Sequence, residues 1–182
     1  MIKVFAKAKR RLTNFLPKKY SNDIDEMIRV FFLTAFILGL VACSPVQTIT
    51  VVRHGEKAAD GISLSDAGKQ RALTLKNILT SLKVDSIYST YTIRTISTAQ
   101  PTADIKKLPV TIYKNNEELI KILANNSVKG NFLIVGHSNT VPDLLRRCGC
   151  DYKKKDLDDN EFDKLFVIKL NGKTCKLKEK IY

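Results

Sequence analysis

The 182-residue chain holds two histidines, and each stands where an apolar, strand-like run stops. His54 follows Thr48-Ile49-Thr50-Val51-Val52-Arg53, and His137 closes the run in "NFLIVGHSNT". Runs rich in β-branched and aliphatic residues read as buried strands. In an open α/β sheet, ligands bind beyond the carboxyl ends of such strands. A lone histidine is more often structural, but two of two at strand ends point to a reactive crevice. Two arginines join them: Arg53 directly precedes His54, and Arg94 follows a second strand in "YSTYTIRT". Half-buried arginines at strand ends need an anionic partner. No set of acidic residues is placed to pair both. A phosphate or sulfate would satisfy them, because its oxygens match guanidinium forks two at a time.

The elements that would hold these residues follow from periodicity and turn signals. Ser65 can cap a helix through "SDAGKQRALTLKNILTSLK", with Leu73, Ile78 and Leu82 predicted to face inward. "DSIYST" reads as a strand, "RTISTAQPTADI" as a helix interrupted near Pro101, and "PVTIYK" as a third strand. "NEELIKILANN" is a helix, and after the fourth strand comes the helix "VPDLLRRC". "KLFVIKLNGKTCKLKEKIY" reads as two strands around Asn171-Gly172. Strands alternating with helices of this length imply right-handed crossovers and a mostly parallel sheet. The expected fold is therefore α/β, a three-layer sandwich with helices on both faces of the sheet and a C-terminal antiparallel hairpin.

Four segments in order, "VVRHGEK", "LSDAGKQRA", "IYSTYTIRTISTA" and "LIVGHSNT", resemble the signatures of the histidine phosphatase superfamily, the phosphoglycerate mutase-like fold. The resemblance spans roughly Ile49 to Leu145. It implies that His54 attacks phosphorus and becomes a phosphohistidine, with Arg53, Arg94 and His137 holding the phosphoryl oxygens. An imidazole nucleophile splits the displacement into two steps, water completing the second. Cationic side chains stand where a metal would otherwise supply charge, so neither metal nor other cofactor is implied. His54 must be neutral to attack, whereas His137 is more useful as a cation. For the proton donor the resemblance points to Glu117 or Glu118, after the third strand, with Glu56 as the alternative. Where mutases of the family carry Ser or Thr and a Trp-Asn pair, Glu56-Lys57 follows here, and no long insertion closes over the site. Hydrolysis of a small phosphorylated substrate is therefore the expected reaction. The alternative is a catalytically silent lipoprotein that binds anions or a partner on the same fold.

The rest of the chain suggests where this domain works. Residues 27–42 carry a short basic start and a 13-residue apolar run from Val30 to Ala42, the length of a signal h-region rather than a bilayer span. Leu40-Val41-Ala42-Cys43 resembles the bacterial lipobox, which implies cleavage before Cys43 and lipid on its sulfur. Residues 43–47 would be the lipidated tether, residues 48–182 the catalytic domain, and the location a periplasm-facing envelope membrane. Residues 1–26 are accounted for most simply as an upstream extension preceding a start at Met27, a genuine basic cytoplasmic extension being the alternative. Of the other cysteines, Cys148, Cys150 and Cys175, at most one pair can form, joining Cys175 to either of the other two. Formal charge is +13 overall; the 23 Lys/Arg and 15 Asp/Glu of residues 43–182 leave a moderate excess that suits anionic ligands. No aromatic-plus-basic signature or helix-turn-helix pattern points to nucleic acid.

Overall fold

The computed structural model describes residues 46–125, 130–171 and 174–182, together with Glu26, Met27, Arg29 and Val30. Residues Pro45–Tyr182 form one compact unit and Met1–Ser44 another. In the second of these, the four described residues are helical and exposed. The apolar run after Val30, the lipobox and Cys43 lie outside the described residues. Among the described residues no helix is long and apolar enough to cross a membrane.

The compact unit runs β1 (Gln47–Arg53), α1 (Asp66–Thr80), β2 (Ser86–Ser89), α2 (Ile93–Lys106), β3 (Val110–Ile112), α3 (Asn116–Ala124), β4 (Asn131–Gly136), α4 (Thr140–Arg147), β5 (Lys164–Asn171) and β6 (Thr174–Ile181). The sheet order is β3-β2-β4-β1-β5-β6. The first four strands of that order are parallel, while β5 and β6 add an antiparallel hairpin beside β1. Strand alternation sends side chains to two cores. Ile49, Val51, Phe132, Ile134, Phe166 and Ile168 meet Leu119 and Leu123 of α3 and Val141, Leu144 and Leu145 of α4. Val52, Leu133, Val135, Ile87 and Leu165 meet Leu75 and Leu79 of α1 and Ala99 and Ala103 of α2 on the other face. The α/β sandwich expected from the sequence is therefore present, with helices on both faces.

Two local expectations change, and one left open is resolved. Helix α1 buries Gly68, Ala72, Leu75 and Leu79, whereas Leu73, Ile78 and Leu82 are exposed. The 3- and 4-residue spacing of the buried set is the true helical stripe. Helix α2 runs through Pro101 without interruption. A proline inside a helix forfeits one amide bond, here to the carbonyl four residues back. The buried Thr98, Ala99, Thr102 and Ala103 hold the turns on either side. Cys175 pairs with Cys150, which ties the start of β6 to the chain just beyond α4, while Cys148 is a buried free thiol.

Candidate active site

The register of the central strands places the histidines side by side. β1 and β4 run parallel with Arg53 opposite Gly136. The next residue on each strand is a histidine, and the ladder continues one step as the His54 amide donates to the Gly136 carbonyl at 2.9 Å. The two imidazole rings stand 5.2 Å apart, centre to centre, nearly edge to face. Beyond them the chain passes very close to α1. A side chain on Gly55 would place its Cβ 2.6 Å from the Gly68 carbonyl oxygen, and one on Gly68 would strike the Glu56 backbone. This strand end therefore needs glycine at both positions. The Gly55 amide donates to Thr98 Oγ1 at 2.9 Å, which ties the same turn to α2.

His54 is 4% exposed, and its two hydrogen bonds define its tautomer. Nδ1 lies 2.7 Å from the Gly55 carbonyl oxygen, an acceptor, so Nδ1 carries the proton. Nε2 then presents its lone pair and accepts from Arg94 Nε at 3.4 Å. Burial, aided by the charges of His137, Arg94 and Arg53, pushes the imidazole down to about 4, against the pull of the Gly55 hydrogen bond. The ring is neutral at physiological pH. A neutral imidazole with its proton on Nδ1 is a nucleophile at Nε2.

Arg94 enters from the first turn of α2, whose start is capped by Thr92. Its Nη1 also donates to the Gly61 carbonyl, so the turn at residues 57–64 rests on the guanidinium. Arg53 is 6% exposed. Its Nη1 donates to the carbonyls of Asp158 at 2.8 Å and Asp159 at 3.2 Å, and its guanidinium lies 4.0 Å from the centre of the Phe162 ring. Nε of Arg53 is buried with no hydrogen-bond partner. Burial holds this arginine below its ordinary range, Asp159 pulling upward and Arg94 adding to the drop. Backbone carbonyls and an aromatic face thus take the hydrogen-bonding place of the anionic partner expected from the sequence, and carboxylates act on the guanidinium only from a distance.

His137 is half-buried, with Nε2 3.1 Å from Thr90 Oγ1. Burial first, then Arg94 and Arg53, lower its affinity for a proton. The ring therefore leans toward neutrality, where the sequence pointed to a cation. The reason is burial, reinforced by two neighbouring guanidiniums whose effect a dianion between them would oppose.

The three carboxylates considered as proton donors have other partners. Glu56 receives Arg71 Nε at 2.9 and 3.0 Å on its two oxygens and Nη2 as well. Burial works to raise Glu56, but the Arg71 hydrogen bonds hold it below the usual carboxylate range. Glu117 pairs with Lys121 at 2.8 Å, and that bond keeps it ionised. Glu118 Oε2 accepts the Lys114 amide at 2.7 Å while its own amide donates to Asn115 Oδ1 at 2.9 Å, a reciprocal helix cap. Both glutamates follow β3, the edge strand three positions from β1. The structure thus brings Arg53, His54, Arg94 and His137 together. It does not place Glu56, Glu117 or Glu118 in contact with them.

Motif spacing does not pick out Thr90, Thr98 or Phe162. Thr90 stands at the carboxyl end of β2, where the crevice rule could have flagged it. Phe162 comes from a distant turn and carries no local signal.

The sequence profile of the histidine phosphatase superfamily (branch 1) matches residues 49–120, a segment that contains Arg53, His54 and Arg94 but ends before His137. No curated protein matches the sequence. Among solved structures, an alpha-ribazole phosphatase from Shigella flexneri is 17% identical, covering 74% of this chain and 96% of its own, with a TM-score of 0.60. A phosphoglycerate mutase from Bacillus anthracis is 17% identical over 75% of this chain and 93% of its own, with a TM-score of 0.58. A phosphoserine phosphatase from Entamoeba histolytica, in complex with 3-phosphoglyceric acid, is 15% identical over 72% of this chain and 95% of its own, with a TM-score of 0.56. At these identities the likeness is one of fold. The profile match supports a likeness to the histidine phosphatase superfamily, and the structures similar in fold include phosphatases and a mutase.

Proposed function

We propose that the chain is a metal-independent phosphatase that hydrolyses phosphomonoesters through a phosphohistidine on His54. The observation that carries this reading is the neutral His54 ring, with Nε2 unprotonated beside three groups able to bind phosphoryl oxygens. In the first step the Nε2 lone pair forms the N–P bond, and the P–O bond to the leaving group breaks with its electrons on oxygen. In the second, water attacks phosphorus and the N–P electrons return to Nε2. The phosphoryl transition state is loose, so catalysis consists mainly of positioning and charge stabilisation. Arg94 and Arg53 supply that charge, and His137, held by Thr90, donates to a phosphoryl oxygen. Hydrolysis is favoured over mutase chemistry because the segment after His54 is a short turn, Lys57–Leu64, closed on itself by a β-bridge.

The envelope location belongs to the same proposal. It rests on the apolar run and the lipobox-like residues before Cys43, with support from the Cys150–Cys175 disulfide, a bond that persists in oxidising compartments. The full chain and a His54→Ala variant, purified in detergent, test the chemistry against a panel of phosphomonoesters in the presence of EDTA. The proposal expects turnover by the first and a loss on the order of 10⁴-fold or more in the second. Turnover unchanged in the variant, or restored only by added metal, would contradict it. Incorporation of labelled fatty acid that disappears in Cys43→Ser tests the anchor.

A further inference from the structure

Three large apolar side chains stand exposed in the segments that carry site residues: Ile62 at 59%, Tyr91 at 82% and Ile93 at 56%. Each is one residue along the chain from a group that touches the site or orders its entrance. Ile62 follows Gly61, whose carbonyl holds Arg94, and Ile93 directly precedes Arg94. Tyr91 lies between Thr90, the partner of His137, and Thr92, the cap of α2. Their backbones are fixed. Asp60 Oδ1 accepts the amides of Ile62 at 2.8 Å and Ser63 at 2.9 Å, and the Ala58 amide donates to the Ser63 carbonyl at 3.0 Å. Single exposed apolar residues are ordinary, but three of them in hydrogen-bonded segments that also carry site residues offer apolar surface for a ligand to cover.

A second observation concerns protons. Glu56 is locked to Arg71, Glu117 to Lys121, and Glu118 caps α3. Asp60 is turned into its own loop, its second oxygen accepting from Ser63 Oγ at 2.6 Å. Lys154 gathers Asp158 and Glu161 at 3.1 and 2.8 Å. These carboxylates are held by partners of their own, and Asp159, whose charge acts on Arg53, is the one that the test must exclude as an acid. Alkoxides leave poorly without a proton, whereas phenolates do not need one.

Resting on the phosphatase reading, we propose that the substrates are aryl phosphates, monoesters of phenolic alcohols whose ring lies against Ile62, Tyr91 and Ile93. Nε2 of His54 forms its bond to phosphorus as the P–O(aryl) bond breaks, and the phenolate departs carrying the electron pair. Water then forms the new P–O bond, the N–P electrons return to Nε2, and the water's proton passes to solvent.

The test compares phenyl, 2-naphthyl and n-hexyl phosphate on the full chain. The two aryl esters have leaving groups of similar acidity but differ by one ring, so they isolate apolar contact. The proposal expects n-hexyl phosphate to fall behind phenyl phosphate in kcat/KM by about 10²-fold or more, the scale of a missing general acid. It expects 2-naphthyl to exceed phenyl phosphate by about tenfold, the scale of covering one further ring face. The combined variant Ile62→Ser, Tyr91→Ser, Ile93→Ser should bring that second ratio close to one. Hexyl phosphate turned over within about threefold of phenyl phosphate would mean that a proton donor serves the site, Asp159 being the first to replace by Asn. That result, or a naphthyl preference unchanged in the triple variant, would overturn this inference while leaving the phosphatase reading intact. Absence of turnover with all three esters would overturn this inference, and absence across the wider phosphomonoester panel would overturn the phosphatase reading as well.

Discussion

Arg71 and Arg53 sit at opposite ends of one short stretch of backbone, and the protein treats them differently. Arg71, on α1, is completed: Glu56 takes it through both oxygens and the Tyr182 carbonyl accepts from Nη1 at 2.8 Å. Hydrogen bonds donated to Glu56 raise it above its ordinary range despite partial burial. Arg53 is more deeply buried yet receives only carbonyls and a ring, keeps an unpartnered Nε and is lowered by burial. A half-buried charge with its carboxylate in place is a structural joint. A buried charge without one, beside a second arginine and two imidazoles of lowered proton affinity, fits the proposed role of receiving an anion from outside. Buried charges left unpaired are costly, so the second arrangement is retained for what it binds.

The difference can be broken from either side. Arg94→Ala removes receptor charge and should lower kcat by about 10²–10³-fold, more than it raises KM, because the contact is strongest in the transition state. The thermal unfolding midpoint of that variant should fall less than that of Arg71→Ala, since it gives up only a hydrogen bond to the turn at residues 57–64 and a long one to His54. Arg71→Ala should do the reverse. It leaves Glu56 half-buried and unpaired, which costs about 1–3 kcal/mol, while kcat changes little. If Arg71→Ala proved the more damaging to kcat, the division between joint and receptor would be wrong.

Proton affinity sharpens the same contrast. NMR titration should find the His54 imidazole near 4 instead of the usual 6.5, in line with its burial among cations. The folded protein refuses a proton that the unfolded chain accepts, so this ring's contribution to stability is intact above 6.5. It is lost as the pH falls toward 4. His137, also lowered, acts in the same direction. Urea midpoints at pH 7 and pH 5 should therefore differ less for His54→Asn than for the parent. An equal or larger difference would mean that the ring is not held neutral. The smallest expected effect is that of Glu118→Gln, which weakens the charged half of a helix cap by a few tenths of a kcal/mol and leaves aryl phosphate turnover unchanged.

How much of this was legible beforehand follows from which interactions are local. The strand ends carrying His54 and His137 could be read because apolar runs stop at charged residues there. Their adjacency could not, because it depends on Arg53 standing opposite Gly136 in the β1–β4 register. In α1 an exposed Leu73 and a buried Leu75 have the same side chain, and it is the face carrying Gly68, which approaches the Glu56 backbone closely, that turns inward. Spacing likewise left the partner of Cys175 open, since Cys148 and Cys150 are two residues apart and tertiary contact alone selects Cys150. Glu117 and Glu118 had the right residue type in the right region. Their hydrogen bonds to Lys121 and Lys114 are features of the helix start that sequence position does not separate from a site role.

The central claim is that His54 Nε2 bonds to phosphorus, and it is tested most directly by trapping that bond. The full chain would be mixed with 4-nitrophenyl phosphate, quenched in alkali within the first turnover, and digested for mass spectrometry under conditions that spare phosphohistidine. The account predicts one acid-labile phosphoryl group, on the peptide containing His54, absent from His54→Ala and discharged when the quench is delayed past substrate exhaustion. Steady release of phosphate with no label on His54 at any time in the first turnover, or label that persists in His54→Ala, would contradict it.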